Sequence, residues 1–149
     1  MAISQAMCTS FKVELLDGIH AFGTTVVRGA TTADTFKMAL YTSSASLGAA
    51  TTAYTASDET AGTGYVATGQ DLTVSDVPVA SGTTAILNFS TETWTTASIT
   101  AAGAMIYNDT QGDKAVAILD FGGDKTSTAG DFSVVFPTFD ATNAIIRIA

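Results

Sequence analysis

The sequence predicts a mainly β fold, an antiparallel β-sandwich or jelly-roll-like domain with one amphipathic helix at its N-terminal end. Two observations predict it. Before about residue 33 the apolar residues recur at a helical spacing, whereas after it apolar and polar residues alternate in short runs, as in half-buried strands. These runs follow one another at spacings of about 8–15 residues without intervening helices, which favours a sandwich or small barrel over a βαβ fold.

The helix is predicted over residues 3–17. The apolar residues that define its stripe recur every four positions and are Ile3, Met7, Phe11, Leu15 and Ile19. Ser4 is the predicted N-cap and Gly18 the predicted stop. The pattern leaves two arrangements open, because such a stripe can pack on its own sheet or on another subunit.

The strands are predicted from alternation and from the turn residues between them. In the first strand Phe36, Met38 and Leu40 share one face. The run KAVAILDF is apolar on both faces, as expected of a central strand. The predicted strands are 35–42, 64–69, 71–77, 83–90, 96–100, 103–108, 114–121, 131–136 and 143–148. The predicted turns are at Gly112, Gly122–Gly123 and Gly130.

Residues 1–149 are predicted to form a single domain, with the sandwich over 34–149. Within it, residues 43–63 consist mostly of Ser, Ala, Gly and Thr and follow a strong strand. We expect this stretch to be a surface contact loop, or an arm that orders when it meets a neighbouring subunit. On that view, deletion of residues 46–60 would leave the isolated fold intact and abolish binding to the neighbouring subunits.

The composition narrows the classes of partner. Charged residues are only 13% of the chain, about half the usual share, and the net charge is −8. An acidic surface disfavours both nucleic acid and anionic membranes. The sequence predicts neither a signal peptide nor a membrane span, so synthesis in a cytoplasm is expected.

The chain has few residues of the types that commonly act in catalysis, and we expect no enzymatic activity and no cofactor. One histidine and one cysteine do not suffice for a typical zinc site. His20 is interpreted as a capping or surface partner of Asp17, and Cys8 as a small apolar residue of the helix. No catalytic residue and no metal ligand is therefore assigned.

Three stretches resemble ligand sites only loosely. NDTQGD (108–113) and DFGGD (120–124) lack the spacing of a calcium loop and are predicted to be polar turns. GTGYVATG (62–69) has the wrong spacing for a phosphate loop and is interpreted as a turn leading into a strand. Trp94, Tyr54 and Tyr65 allow a sugar-binding platform, although aromatic residues of a strand-rich chain are more commonly core or interface material.

Several blocks of the sequence, in the same order over nearly the whole chain, resemble a family of small virion structural proteins of tailed bacteriophages. The most specific are DTFKMALYTS and GTGY. The others are FKVELLDGIHAF, TAYTASDETAGTGY, GAMIYND, AVAILDFGGDKTS and ATNAIIRIA.

The resemblance implies a non-enzymatic particle component, expected in the virion as a capsid decoration or cement protein. Its expected partners are the major capsid protein and further copies of itself, in a homo-oligomer or on the particle. The expected interface residues are Phe11, Leu15, Tyr41, Leu47, Tyr54 and Tyr65. Two alternatives stay open, namely a tail or head–tail connector protein and a β-sandwich module that binds a glycan or receptor.

Overall fold

The computed structural model describes residues 2–16, 18–23 and 33–149. The elements of this part of the chain are β1 (Ala6–Met7), α1 (Thr9–Leu16), β2 (Phe36–Tyr41), β3 (Gln70–Leu72), β4 (Val74–Ser81), β5 (Thr84–Phe89), β6 (Glu92–Asn108), a 3-10 turn (Asp109–Gln111), β7 (Lys114–Val134) and β8 (Ile146–Ile148).

The strands form two sheets in which every pairing is antiparallel. The larger sheet has the order β1-β7-β6-β2-β3, and the smaller has the order β4-β5-β8. The predicted mainly β fold with antiparallel sheets and one helix is therefore confirmed.

The long hairpin β6–β7 is the centre of the larger sheet. Its register runs from Asn108 opposite Lys114, beside the turn, to Glu92 opposite Val134. Asn108 starts the turn, because its Oδ1 accepts bonds from the N–H groups of Thr110 and Gln111 at 3.1 Å each. Gly112 ends the turn at φ +66°, so the predicted turn at this glycine is confirmed.

Aromatic side chains connect the two sheets. Phe36 on β2 stacks on Phe22 at a ring-centroid distance of 4.2 Å and lies 6.3 Å from Phe89 on β5. All three rings are buried. Burial of a phenylalanine contributes about 1.5–3 kcal/mol, so this contact makes a large contribution to holding the sheets together.

The predicted helix over 3–17 is wrong in its first half. Residues 6 and 7 form β1, opposite Ile118 and Ala117 of β7, and Ile3 bridges to Leu47. Residues four apart lie on the same side of a helix, because four is close to the 3.6 residues of one turn. They also lie on the same side of a strand, because its side chains alternate every two residues. The spacing of Ile3 and Met7 therefore could not separate helix from strand.

The ends of the helix follow from this correction. Ser4 is not an N-cap, because α1 begins only at Thr9; the Ser4 N–H donates to the Leu47 carbonyl. Cys8 is fully buried, but it precedes α1 and donates its N–H to the Val116 carbonyl. The predicted stop is confirmed, because Gly18 has φ +69° and donates to the Leu15 carbonyl at 3.2 Å.

The strand predictions also differ from the structure in five places. The stretches 96–100 and 103–108 belong to the single strand β6, and 114–121 and 131–136 are joined in β7. Glycines 122, 123 and 130 lie inside β7, where its register against β6 shifts, instead of ending a strand. The predicted 71–77 is divided between β3 and β4, and 143–148 shortens to β8. No strand forms at 64–69, where Gly64 and Gly69 have φ of +80° and +76°.

Candidate contact surface

The β2–β3 loop, residues 42–69, contains the stretch expected to act as a contact loop or arm. Its backbone is bonded to the rest of the protein along its whole length. It bonds to β2 (Thr60 N to Leu40 O, 2.8 Å), to β6 (Ser98 N to Thr63 O, 2.9 Å), to the start of β7 (Ala115 N to Thr52 O, 3.0 Å) and to the N-terminal segment (Thr9 N to Ala49 O, 2.9 Å). The loop is thus ordered within the protomer, and the interpretation as an arm that orders only on contact is corrected.

All four tyrosines of the chain bond to this loop or lie in it, and with Glu59 they form a group that we call the tyrosine cluster (Tyr41, Tyr54, Tyr65, Tyr107 and Glu59). The Glu59 carboxylate accepts bonds from Tyr54 Oη at 2.7 Å, Tyr65 Oη at 2.6 Å and the Thr68 N–H at 2.8 Å. Tyr65 Oη also accepts the Leu40 N–H at 2.9 Å. One carboxylate therefore links two parts of the loop to each other and, through Tyr65, to strand β2.

The other two tyrosines fix the loop from the sheet. Tyr41 Oη donates to the Thr55 carbonyl and Tyr107 Oη to the Thr68 carbonyl, both at 2.7 Å. The rings of Tyr54 and Tyr107 also pack together, with centroids 5.1 Å apart. These bonds hold the loop at residues 55 and 68, on either side of Glu59.

Burial in the cluster keeps its phenols neutral. It raises the pKa of Tyr54 to about 12, with a further contribution from the hydrogen bond to Glu59. Burial also raises the pKa of Tyr65, Tyr41 and Tyr107 well above the ordinary tyrosine value. Each phenol thus stays a hydrogen-bond donor at any physiological pH.

Three glycines bring the loop backbone into close contact with the sheet. A Cβ atom at Gly62 would lie 2.3 Å from the Ser98 carbonyl oxygen, and at Gly64 2.8 Å from the Ala97 Cα. At Gly69 it would lie 1.8 Å from the Met38 carbonyl oxygen. The glycines of GTGYVATG therefore serve backbone packing, and the predicted turn into a strand is confirmed by β3 at Gln70.

The outer face of the loop is formed by small neutral side chains. Asp58 and Glu59 are its only charged residues, and Glu59 is engaged in the tyrosine cluster. Val66 is the one large apolar residue of the loop that is exposed, at 72%. Residues 46–52 and Thr55 line a shallow depression of about 490 Å³. A surface of this kind can approach another backbone closely and buries almost no charge.

The residues expected at an interface are mostly inside the protein. Phe11, Tyr41 and Leu47 are 0%, 0% and 6% exposed, so the expectation that they meet a partner is corrected. Leu15, Tyr54 and Tyr65 are partly buried and pack against the same core. Tyr41, Tyr54 and Tyr65 bond to the loop from within, whereas Phe11 and Leu15 lie on α1. The sequence did not show that the large residues at the loop point inward and leave small residues outside.

His20 belongs to a buried polar network and not to an exposed pair. The Asn108 amide nitrogen lies 3.0 Å from His20 Nδ1 and donates to Asp34 Oδ2 at 2.8 Å. Because the two turn N–H groups fix the amide orientation, Nδ1 acts as acceptor and the imidazole is neutral with its proton on Nε2. Asp34 also accepts the Ala21 N–H, so the network joins residues 21, 34 and 108. The expected partner Asp17 lies outside the described residues.

Trp94 does not form a sugar-binding platform. It is 1% exposed, and its Nε1 donates to the side-chain oxygen of Gln70 at 2.8 Å when that amide is oriented to satisfy both of its neighbours. The alternative of a glycan platform built on Trp94 is therefore wrong. Its indole is part of the core beneath β6 and β7.

The turn residues considered for calcium bond to their own backbone. Asn108 caps the 3-10 turn, and Asp120 Oδ1 accepts the Gly122 N–H at 2.8 Å. Within residues 2–16, 18–23 and 33–149, no group of three or more His, Cys, Asp or Glu side chains is placed to hold a metal ion. Across the same ranges, no helix has the length and apolar content needed to cross a membrane.

Comparison with protein-family models, curated proteins and solved structures found no match to this chain.

Proposed function

We propose that this chain is a non-enzymatic structural protein of a tailed-bacteriophage virion, and that it decorates or cements the capsid. It is made in the host cytoplasm and assembles onto the particle through protein–protein contacts. The proposal joins the resemblance in DTFKMALYTS and GTGY to one observation, the rigidly held and almost uncharged β2–β3 loop.

The β2–β3 loop is the proposed contact surface. A protein that binds many identical sites on a shell benefits from a surface that is ordered before binding, since no ordering entropy is then lost on contact. The tyrosine cluster supplies that order, through five hydroxyl-mediated bonds of 2.6–2.9 Å. Small side chains on the outside let the loop backbone lie close to the major capsid protein, or to another copy of this chain.

The deciding experiment measures the number of copies of this chain per purified particle, by quantitative mass spectrometry against the major capsid protein. We expect a ratio near one per capsid subunit, or one per few subunits. About a dozen copies per particle would instead support the alternative of a connector or tail protein, because such rings have low cyclic symmetry. Absence from the particle would overturn the proposal.

A further inference from the structure

The stretch GTGYVATG, residues 62–69, presents one large apolar side chain to solvent, and we call it the Val66 turn. Val66 is 72% exposed. The residues near it are fixed, because Tyr65 Oη and the Thr68 N–H both donate to one oxygen of the Glu59 carboxylate, at 2.6 and 2.8 Å. Val66 is therefore held in position before any contact is made, so little ordering entropy is lost when it binds.

An apolar groove of about 590 Å³ is formed mainly by β7 and by residues between β7 and β8. Val135, in its lining, is 73% exposed. Val66 is not part of this lining, so the Val66 turn does not occupy the groove of its own chain. Exposed apolar surface of this extent marks a binding surface. The apolar residues that line the groove include Phe121, Phe132, Val134, Val135, Phe136 and Ile145.

Charge makes these two surfaces compatible with each other. The Val66 turn has no charged residue. The groove lining holds one cation, Lys125, and one carboxylate, Asp131, whose Oδ1 accepts the Thr96 N–H at 3.3 Å. The whole chain has a net charge of −8, so most other contacts between two copies would bring carboxylates together. Insertion of the Val66 turn into this groove avoids that repulsion, and the inserted segment brings no charge that would need a partner.

Val66 is better placed to insert than the other exposed large apolar side chains outside the groove. In the described ranges 2–16, 18–23 and 33–149 these are Val79 on β4 and Ile148 on β8, at 41% and 51% exposure. Both lie in strands of the smaller sheet, and Ile148 follows the charged Arg147. Val66 is more exposed than either and has neutral neighbours on both sides.

We propose that the Val66 turn of one copy inserts into the apolar groove of a second copy. The inference rests on the proposed function, because it takes the β2–β3 loop as a contact surface and names a second copy as the partner of its Val66 end. The two surfaces differ, so the contact is heterologous and leaves a free turn on one copy of each pair and a free groove on the other.

The size of the contact sets its expected strength. One turn in a groove buries less than the roughly 1,200 Å² of a stable interface. We therefore expect weak association in solution, with a dissociation constant on the order of 100 μM. On a particle that holds many copies side by side, the same contact gains from a high effective concentration.

Sedimentation equilibrium of the isolated full chain tests the proposal, over about 10 μM to 1 mM. We expect the weight-average mass to rise with concentration. Val66→Asp and Val135→Asp each place a carboxylate in the contact, at positions that are exposed in the single chain, and each should raise the dissociation constant at least about tenfold. Val79→Asp makes the same change at an exposed valine outside both surfaces and should associate like the unmodified chain.

An equimolar mixture of the two contact variants gives the most specific test. The Val66→Asp chain keeps an intact groove, and the Val135→Asp chain keeps an intact Val66 turn. We expect the mixture to form dimers with nearly the affinity of the unmodified contact, and nothing larger, although neither variant associates alone. Dimers in the mixture also show that both variants are folded.

Three results would overturn the proposal. One is an unmodified chain that stays monomeric over the whole range, and another is a Val66→Asp chain that associates as strongly as the Val79→Asp chain. The third is a mixture that forms no dimer, which would mean that the two valines do not meet each other.

These outcomes separate the inference from the proposed function. Association through Val66 and the groove by a chain that is absent from particles would support the contact and remove the capsid role. A high copy number on particles, with a chain that stays monomeric in solution, would remove the contact and leave the capsid role in place.

Discussion

At the scale of single residues, Glu59 is the charged group on which the β2–β3 loop depends. Its carboxylate accepts three hydrogen bonds from within the loop. Glu59→Gln keeps the shape but removes the charge and replaces one acceptor oxygen with a donor. We expect the free energy of unfolding to fall by about 1–3 kcal/mol, as for loss of hydrogen bonds to a charged group. Urea denaturation measures this change.

The neighbouring residue supplies the control for that prediction. Asp58 is exposed and has φ +59°, a conformation that asparagine tolerates well. Asp58→Asn removes the same charge one residue away and should change stability by less than about 0.5 kcal/mol. If both variants behave alike, the cluster is not what holds the loop.

The tyrosine cluster also predicts the response to alkaline pH. The pKa of Tyr54 is raised to about 12 in the folded protein, against an ordinary value near 10. Between these two values the unfolded chain releases the Tyr54 proton while the folded protein retains it, so stability falls as pH rises. We expect stability to be level below about pH 10 and to fall between pH 10 and 12. Spectroscopic titration of the phenols should show ionisation delayed until the protein unfolds, and early titration of all four would contradict the burial.

At the scale of elements, close contact and not backbone strain alone explains Gly69, which joins the loop to β3. Gly69 and Gly82 both have positive φ, at +76° and +63°. A Cβ at Gly69 would lie 1.8 Å from the Met38 carbonyl oxygen, whereas nothing lies within 4 Å at Gly82. Gly82→Ala should therefore cost about 1–2 kcal/mol from strain. Gly69→Ala should cost more than about 3 kcal/mol or prevent folding. Equal thermal stability of the two variants would show that the backbone at Met38 can move far enough to accommodate a Cβ atom at residue 69.

The elements also show which sequence signals are reliable. Strand β2 was predictable because Phe36, Met38 and Leu40 alternate with smaller or polar residues and all three face the core. Strands β6 and β7 were divided in the prediction because glycine usually ends a strand. In the structure, positive φ at Gly122, at Ala129 and at Thr96 on β6 is absorbed as bulges within one long hairpin. Alternation predicts a strand, but it does not report that the second face of β2 is also buried, with Ala39 and Tyr41 both 0% exposed. Nor does it report whether a partner strand continues across an irregular residue.

The candidate surface was only partly predictable from the sequence. Its position could be predicted from residues 43–63, which consist mostly of Ser, Ala, Gly and Thr. Its many bonds to the sheet could not, because Glu59 accepts bonds from two phenols of the loop, whereas the phenols of Tyr41 on β2 and Tyr107 on β6 bond to loop carbonyls. Convergence of this kind depends on the tertiary fold, and no local pattern in the sequence signals it.

At the scale of the whole molecule, the proposed capsid role and the low charge of the loop together predict how particle stability should depend on salt. Particles that lack this chain should lose heat resistance, and adding the purified chain should restore it. Because the proposed surface carries one exposed charge, Asp58, restoration should depend little on salt concentration. A calorimetric scan of the particles measures the disruption temperature in each case.

A substitution on the loop links that effect to the proposed surface. Ala50→Arg places a long cation in the depression at residues 46–52, where a close contact would bury it without a partner. We expect the variant to fold normally, since Ala50 is exposed, but to bind particles at least about tenfold more weakly. Thr83→Arg makes the same kind of change in the exposed β4–β5 turn and should restore heat resistance fully. If the Ala50→Arg chain restores heat resistance as well as the Thr83→Arg chain does, the β2–β3 loop is not the surface that meets the capsid.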